Sequence, residues 1–456
     1  LTALLLAACA THSPVTPDTA VPAAFEHAPG IGSGDAAAPA GRWHHGFGSD
    51  ELDALIQSAA IGNLDIAAAA ARVAQADARS RVAGTSLLPH VDAGANVAHF
   101  SGRAGGRSAN ETDWSALASA SYEVDFWGKN RASAKAGAAL ARASRADRDT
   151  VDITVTSSVA NSYFQLLSLR ERLSIAHANL DSAREILKVI EARFNAGAAS
   201  AADLATQRAT VASTELAIPD LVQQESAMLG ALALLLGRAP EQFMVSGIAL
   251  ESLHEPAVDA GLPSALLTRR PDLIAAEATL EAASADVAAA RAALLPTLTL
   301  TGAGGLQNPA VQAAVDTLTG TGGTLTIGAS LLQSIFDGGR QRAVRAGALA
   351  RQQELLALYR GSVLAALLDV ETALSAIKNL DVRKSAQLEY LMQGERAFQG
   401  AQLRYKAGSG DYLGVLEAQR LLYVAREQAS VYRLARLQAL VALYKALGGG
   451  WQSTTR

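Results

Sequence analysis

The sequence predicts a mainly α-helical, internally duplicated fold in which long coiled-coil helices accompany four strands of membrane length. Three observations predict it. Landmark motifs recur at a nearly constant spacing, an apolar heptad seam runs unbroken through one long proline-free segment, and four short segments alternate in polarity.

Composition suits that class. The chain has 456 residues and is 50% hydrophobic but only 5% aromatic. Its 18% charged residues fall below the roughly one quarter of an ordinary soluble domain. An alanine-rich chain poor in aromatics favours closely packed helices over a bulky core. A formal net charge of −4 gives no basic footprint for nucleic acid. No apolar run reaches the roughly 18–20 residues that a membrane helix needs, so membrane residence must come from a lipid or from strands.

The first residues, Leu1-Thr2-Ala3-Leu4-Leu5-Leu6-Ala7-Ala8-Cys9, read as the end of a signal peptide (1–8). Leu6-Ala7-Ala8-Cys9 resembles the lipobox of bacterial lipoproteins, which implies a diacylated Cys9 as lipid anchor. Cys9 is the only cysteine and has no disulfide partner in the chain. Ala10 follows, where an aspartate would retain a lipoprotein in the inner membrane, so the resemblance implies the outer membrane. Thr11 to Ala40 is a Pro-, Gly-, Ala- and Ser-rich linker. Order is expected from Trp43, with Phe47, Leu52, Leu55 and Ile56 at helical spacing around Ser49 and Asp50. The predicted divisions are a lipidated linker (9–48), repeat 1 (49–238), a connection (239–263), repeat 2 (264–450) and a tail (451–456).

The duplication rests on distinct landmarks. Asn63-Leu64-Asp65-Ile66 leads to Leu87-Leu88-Pro89, and Arg270-Pro271-Asp272-Leu273-Ile274 leads to Leu294-Leu295-Pro296; Asp65 to Asp272 and Pro89 to Pro296 are both 207 residues apart. Arg193-Phe194-Asn195-Ala196-Gly197 is echoed by Arg404-Tyr405-Lys406-Ala407-Gly408, 211 residues on. Ala202-Asp203-Leu204-Ala205-Thr206-Gln207-Arg208 matches Gly414-Val415-Leu416-Glu417-Ala418-Gln419-Arg420, and Leu232–Gly237 matches Leu443–Gly448. The small change of spacing falls in the Gly-rich middle, as hairpin loops of unequal length require.

Each repeat reads as helix, strand, strand, long helix, helix. In the first, a helix from about Asn63 to Ser86 ends before Pro89. Val91, Ala93, Ala95 and Val97 line one face of a strand, and Trp114, Ala116, Ala118, Ala120, Tyr122 and Val124 one face of the next, with Ser101–Asn110 as the loop. The second repeat offers Leu298 and Leu300, then Leu325, Ile327, Ala329 and Leu331, around a loop holding Gly302, Gly304, Gly305, Asn308 and Pro309. A long helix follows from about Lys129 to Asn195, whose Leu166, Leu169, Leu173, Ala176, Leu180, Ala183, Leu187, Ile190 and Phe194 step three and four residues apart. Such a helix is a rod of roughly 100 Å. Its counterpart runs from about Gly339 to Lys406, with Lys384 and Gln387 interrupting the seam, and the helices Asp203–Leu236 and Tyr412–Leu447 return alongside.

Strands of about ten residues cross a bilayer when tilted. Four cannot close by themselves, and lipid does not tolerate unpaired backbone at an open edge. Oligomerisation must bury the edges; a trimer supplies twelve strands, enough for a water-filled barrel.

The ordered set of motifs resembles the outer membrane efflux proteins, the TolC-like outer membrane factors, and in particular the lipoprotein branch that serves drug-efflux pumps. The residues that carry the resemblance are Leu6–Cys9, Arg269-Arg270-Pro271-Asp272 with Ala276-Glu277, Leu294-Leu295-Pro296, Phe336-Asp337-Gly338-Gly339-Arg340, and the Arg193-Phe194 and Arg404-Tyr405 pairs ahead of Gly197 and Gly408. It implies a homotrimer with a twelve-stranded β-barrel in the outer membrane and an α-helical barrel across the periplasm. Partners would be a periplasmic adaptor (membrane fusion) protein, an inner-membrane RND-type pump and outer-membrane lipid. The reversals at Ala196–Ser200 and Ala407–Asp411, with Gly197, Ser200, Gly408 and Gly410, become the adaptor-contact tips. Tyr405, Asp411, Leu413, Glu417 and Arg420 become the periplasmic gate, with Glu417 where the family carries aspartate. Read without the resemblance, Glu417 and Arg420 are a solvated i,i+3 helix pair.

Other chemistry is not expected. Pro271 suits a first helical turn, and Asp272 and Glu277 lie near its positive end, a structural reading of Arg269–Asp272. Adjacent His44 and His45 do not share a helix face and have no thiolate near, so no metal site is read there. The glycines at 302–305, 320–328 and 408–414 lack the Lys-Ser/Thr of a phosphate loop. Trp114, Tyr122, Phe126 and Trp127 suit an interfacial aromatic belt. No nucleophile–base pair and no cofactor site is identifiable, so an enzyme is not expected. Alternative readings are a duct for type I protein secretion or metal-ion efflux, and a non-channel periplasmic coiled-coil scaffold; only three methionines disfavour copper.

Overall fold

A computed structural model describes residues 21–27, 43–104, 107–241, 243–256, 261, 263–307 and 324–449. The Leu1–Cys9 motif, most of the 9–48 linker, Asn308, Pro309, the glycines at 320–323 and the 451–456 tail lie outside them. The elements are α1 (Asp50–Gly62), α2 (Leu64–Thr85), β1 (His90–Ala104), β2 (Arg107–Val124), α3 (Lys129–Asn195) and α4 (Ala201–Leu235). They continue with α5 (Leu266–Arg269), α6 (Pro271–Ala292), β3 (Thr297–Gln307), β4 (Thr324–Leu332), α7 (Arg340–Lys406) and α8 (Tyr412–Ala446). The duplication is visible in lengths alone: α3 and α7 have 67 residues each, α4 and α8 have 35, α2 and α6 have 22.

The described residues form two compact units, one within 71–145 and 275–361 and the other within 21–70, 146–274 and 362–449. In the first unit the strands make one antiparallel sheet in the order β1-β2-β3-β4. Paired residues point to the same side, so the register joins the predicted apolar positions into one face. Val97 lies opposite Trp114, Ala95 opposite Ala116, Tyr122 opposite Leu300, Leu298 opposite Leu331 and Gly302 opposite Ile327. The other face carries Asp92, Asn96, Ser115, Ser119, Ser121, Thr297, Thr299, Thr301, Thr326 and Ser330.

Both expected hairpin loops are corrected. Pairing continues through Ser101↔Asn110 to Ala104↔Arg107, so the first hairpin has strands of 15 and 18 residues, not about ten. The ladder bonds backbone groups, which Gly102 and its small polar neighbours supply as well as any residue. In the second hairpin Gly302, Gly304 and Gly305 lie inside β3. A Cβ on Gly305 would stand 2.1 Å from the Ala116 carbonyl oxygen, so this glycine permits a close strand approach instead of a turn. Below the sheet, α3 meets α6 through Ala136, Ala139, Ala282 and Ala285. Lys135 and Arg142 both pair with Glu281, and Arg145 pairs with Asp77 at 2.5 Å.

The second unit holds the largest core. Trp43 stacks on Tyr444 with centroids 5.1 Å apart, and Phe47 packs on Phe164 beside Leu52, Tyr163, Leu166 and Leu437. Ser49 caps α1 by accepting the Leu52 amide at 3.2 Å. Its hydroxyl also meets the Tyr163 hydroxyl, which donates to Glu51 at 3.0 Å. Burial, with the Glu51 charge adding to it, pushes the Tyr163 phenol up to about 12. The heptad seam is buried from Leu166 to Ile190 with Leu173 and Leu187 half-buried, and it ends there, since Phe194 is 40% exposed. Lys384 is exposed and Gln387 donates to the Ala425 carbonyl at 3.3 Å, so the α7 seam is polar where the sequence interrupts it.

Pro271 opens α6, and Arg270 before it chelates Asp272 at 2.7 and 3.1 Å while reaching Asp369 at 3.0 Å and the Ala446 carbonyl at 3.2 Å. The motif thus ties the start of α6 to the middle of α7 and the end of α8 within this unit. The histidine pair departs from expectation. Trp43–Phe47 is a 3-10 turn, and its His44 and His45 rings stack at 4.6 Å, bringing both Nδ1 atoms to the Asp53 carboxylate at 2.5 and 2.7 Å. Adjacent histidines therefore do share a partner here, because a turn tighter than an α-helix precedes α1.

Candidate functional site

The two tips belong to the second unit and are built alike from backbone chemistry. Each long helix needs donors for its last carbonyls. Gly197 and Gly408 adopt φ of +75° and +76°, which glycine takes without a Cβ penalty. After α3, Gly197 N–H bonds Phe194 O at 3.0 Å and Ala198 N–H bonds Arg193 O at 2.7 Å. After α7, Gly408 N–H bonds Tyr405 O at 3.1 Å and Ser409 N–H bonds Arg404 O at 3.0 Å. Both are Schellman terminations. Gly410 is needed for a different reason, since a Cβ there would come within 3.1 Å of the Arg404 Cβ and 3.2 Å of the Tyr405 nitrogen.

The returning helices are capped in unequal ways. Ser200 accepts the Asp203 amide at 3.1 Å while the Asp203 carboxylate accepts the Ser200 amide at 3.0 Å, a reciprocal capping box. The Ser200 backbone, then its hydroxyl, hold the Asp203 carboxyl below the usual range. Asp411 caps α8 by accepting the Gly414 amide at 2.9 Å, with no reciprocal bond among the described residues. These caps set the repeat spacing at 211 residues, Ser200 to Asp411, so Gly414 stands opposite Asp203. The sequence match of Ala202–Arg208 with Gly414–Arg420 ran one residue out of register, drawn by Leu204/Leu416 and Gln207/Gln419; the buried counterpart of Leu204 is Val415.

Between the tips lies a small core of Ile186, Ile190, Leu204, Ala401, Tyr405, Tyr412 and Val415. Tyr412 donates to Gln207 at 2.8 Å, and fully buried Gln207 donates to the Ala183 carbonyl at 2.8 Å. Burial, then the Asp203 and Tyr405 charges, push the Tyr412 phenol up to about 12. This glutamine bridge was not singled out in the sequence, although glutamine recurring in both repeats amid small and apolar residues was its signal.

Of the residues expected at a gate, Asp411, Leu413, Glu417 and Arg420 are exposed. The Glu417 and Arg420 side chains make no ion pair or hydrogen bond among the described residues, so the expected i,i+3 helix pair does not form. Tyr405 is different. It is 5% exposed, with the Arg193 guanidinium 4.2 Å above its ring and donating to its carbonyl at 2.7 Å. The aromatics also divide: Phe126 is 70% exposed, while Trp127 is half-buried and donates to the Pro296 carbonyl at 2.8 Å.

The first unit carries a separate feature, its sheet. Val91, Val97, Leu325, Ile327 and Leu331 are each more than 65% exposed on its apolar face. A single chain leaves such a face to water only at large cost. An apolar face opposed to a Ser/Thr face is the pattern of a barrel strand with lipid outside and water inside. Strands of this kind on a duplicated coiled-coil frame define an outer-membrane channel subunit.

Comparison with known proteins agrees. The chain belongs to the outer membrane efflux protein family, whose model matches residues 55–238 and 262–449. It is 45% identical to the pyoverdine export outer membrane protein OpmQ of Pseudomonas aeruginosa, over 99% of this chain and 96% of that protein. It is 30% identical to the cation efflux system protein CusC of Escherichia coli, over 90% and 88%. Among solved structures, the Neisseria gonorrhoeae MtrE outer membrane channel superposes with a TM-score of 0.85 at 28% identity, covering 98% of this chain and 99% of that one. The chain is accordingly the outer-membrane channel of an efflux system, and its family is one of transport channels.

Proposed function

We propose that three copies join edge to edge, β4 of one to β1 of the next, into a twelve-stranded barrel that serves as the passive exit duct of a tripartite pump. The observation that carries this is the open sheet: among the described residues β1 and β4 each have one neighbouring strand, and lipid demands a second. The paired tips, with Gly197, Ser200, Gly408 and Gly410, meet a periplasmic adaptor, which links the duct to an inner-membrane pump of the RND type. A diacylated Cys9 tethers the linker to the outer membrane, since one acyl chain alone binds membranes only marginally.

The cargo is a secreted small molecule of siderophore type, with drugs as further passengers. Identities of 45% and 43% to two pyoverdine export proteins, against 28–30% for relatives named for toluene, antibiotic or cation efflux, support this ranking. Exposed, unpartnered Glu417 and Arg420 support a gate at the second tip, where three copies bring like charges together and only pairing across subunits offsets their repulsion.

Conductance across planar bilayers tests the duct and the gate together. The wild type is expected to give small, rarely open currents that grow in Glu417→Ala and Arg420→Ala. Currents equal to wild type in both variants remove the two residues from the gate. A protein that stays monomeric and soluble without detergent removes the duct. Loss of a fluorescent siderophore from the culture medium on deletion of the gene, restored by complementation, checks the cargo.

A further inference from the structure

The two tips carry the same residues but only half of the contacts that the duplication allows. Arg193 of the first tip covers the ring of Tyr405 in the second and donates to its carbonyl. That carbonyl also accepts the Gly408 amide. Moved forward by 211 residues, Arg193 becomes Arg404; moved back by the same step, Tyr405 becomes Phe194 and Gly408 becomes Gly197. A second guanidinium, ring and glycine-bonded carbonyl therefore exist in every chain. They stand unused: Arg404 is exposed with no side-chain partner among the described residues, and Phe194 is 40% exposed with its carbonyl accepting the Gly197 amide.

We infer that Arg404 of one copy packs over Phe194 of the partner subunit and donates to its carbonyl, repeating between chains the contact that Arg193 makes with Tyr405 within each. The inference rests on the trimer proposed above. In a closed ring the repeats alternate first, second, first, second. A rotation that carries a first repeat onto the second of its own chain carries that second repeat onto the first of the next. It maps the Arg193–Tyr405 contact onto Arg404 and Phe194 of the partner subunit. Phenylalanine keeps the ring face that a guanidinium needs, and a planar fork can serve ring and carbonyl together. The heptad seam that ends in the chain at Ile190 is thereby continued, through Phe194, by a neighbour.

Cross-linking in detergent or membranes tests this. Disulfides need Cα atoms within about 7 Å, closer than a side chain stacked on a ring permits, so a short bismaleimide is the probe. Phe194→Cys with Arg404→Cys should give covalent dimers and trimers on a denaturing gel. Arg193→Cys with Tyr405→Cys should run as monomer, its link being internal. The wild type, whose single cysteine is Cys9, is the blank. A double variant that migrates as a trimer on a native gel yet yields no covalent ladder overturns the contact and leaves the trimer standing. Native migration as a monomer overturns the trimer and the contact with it. Ladders from either single-cysteine variant would place that position against its own copy and also overturn the assignment.

Discussion

The first and second tips show what duplication preserves and what it frees. Backbone terminations are the same to within a few tenths of an ångström: a left-handed glycine, two reversed hydrogen bonds and an N-cap three residues later. Side chains then diverge. At the positions of Ala202, Thr206 and Ala209 in the first tip, the second carries Leu413, Glu417 and Arg420, all exposed. In a trimer this puts three charges of each sign at the tips where two identical repeats would put six. Like charges brought together on a pore axis repel, so under the gate proposed above, carrying them on one repeat halves the repulsion that closure has to overcome. The scaffold is fixed by hydrogen bonding, and the exposed side chains differ from one copy of it to the other.

The sharpest test of this comparison compares the aromatic residues at the ends of the long helices. Tyr405 is buried under Arg193, and Tyr405→Ala should cost about 3–5 kcal/mol, as for other buried aromatics. Phe194→Ala should cost about 0.5–1 kcal/mol, the scale of one exposed cation–π contact. Hydrogen exchange across residues 398–412 and 187–201 reads local opening of each tip separately. Equal losses at the two sites would mean that the tips are energetically alike and the asymmetry is superficial.

Next in size is the backbone they share. Gly197→Ala and Gly408→Ala force a Cβ into left-handed geometry, each at about 1–2 kcal/mol. The two should match, because neither position has a neighbour closer than 3.8 Å to the added carbon. Gly410→Ala should also destabilise its tip, because the added Cβ meets the Arg404 Cβ at 3.1 Å, whereas Ala199 at the matching place in the first tip already bears one. Thermal melting of the helical circular dichroism in detergent ranks the three, and a large inequality between Gly197 and Gly408 would break the claim of one backbone solution used twice.

Much of this was legible in the sequence. The 67-residue α3 was read to its ends, because absence of proline and an uninterrupted seam leave no other period for Lys129–Asn195. The apolar faces of the strands were legible residue by residue, since alternation by two has one interpretation. Hairpin lengths were not. Gly302, Gly304 and Gly305 signal a turn or a close approach with equal force until the partner strand's position is known. The tips were legible as backbone, from Gly197 and Gly408, but the Arg193–Tyr405 contact joins residues 212 apart and carries no periodic signal. Nor could a pattern of helix faces foresee His44 and His45 sharing Asp53, which depends on a 3-10 turn.

The smallest expected effect separates the two caps. Ser200→Ala removes an acceptor for the Asp203 amide, a change worth about 1 kcal/mol in other helices. Its reciprocal half depends on charge. Hydrogen bonds from the Ser200 backbone and hydroxyl lower the Asp203 carboxyl below its ordinary value of 3.8. A carboxyl with a depressed folded value contributes stability that is present above 3.8 and lost as pH falls through the folded value. Protection factors for residues 200–204 should therefore decline between pH 5 and pH 3 (~2 pH steps around that value), and Asp203→Asn should abolish the decline. Gly414 occupies the matching place in the second tip, but α8 is itself capped by the Asp411 carboxylate, so the Asp203→Asn variant rather than residues 411–415 provides the reference. A first tip whose protection stays flat over that range, with Asp203 intact, would show that the capping box adds nothing in solution, leaving the serine hydroxyl alone to start α4.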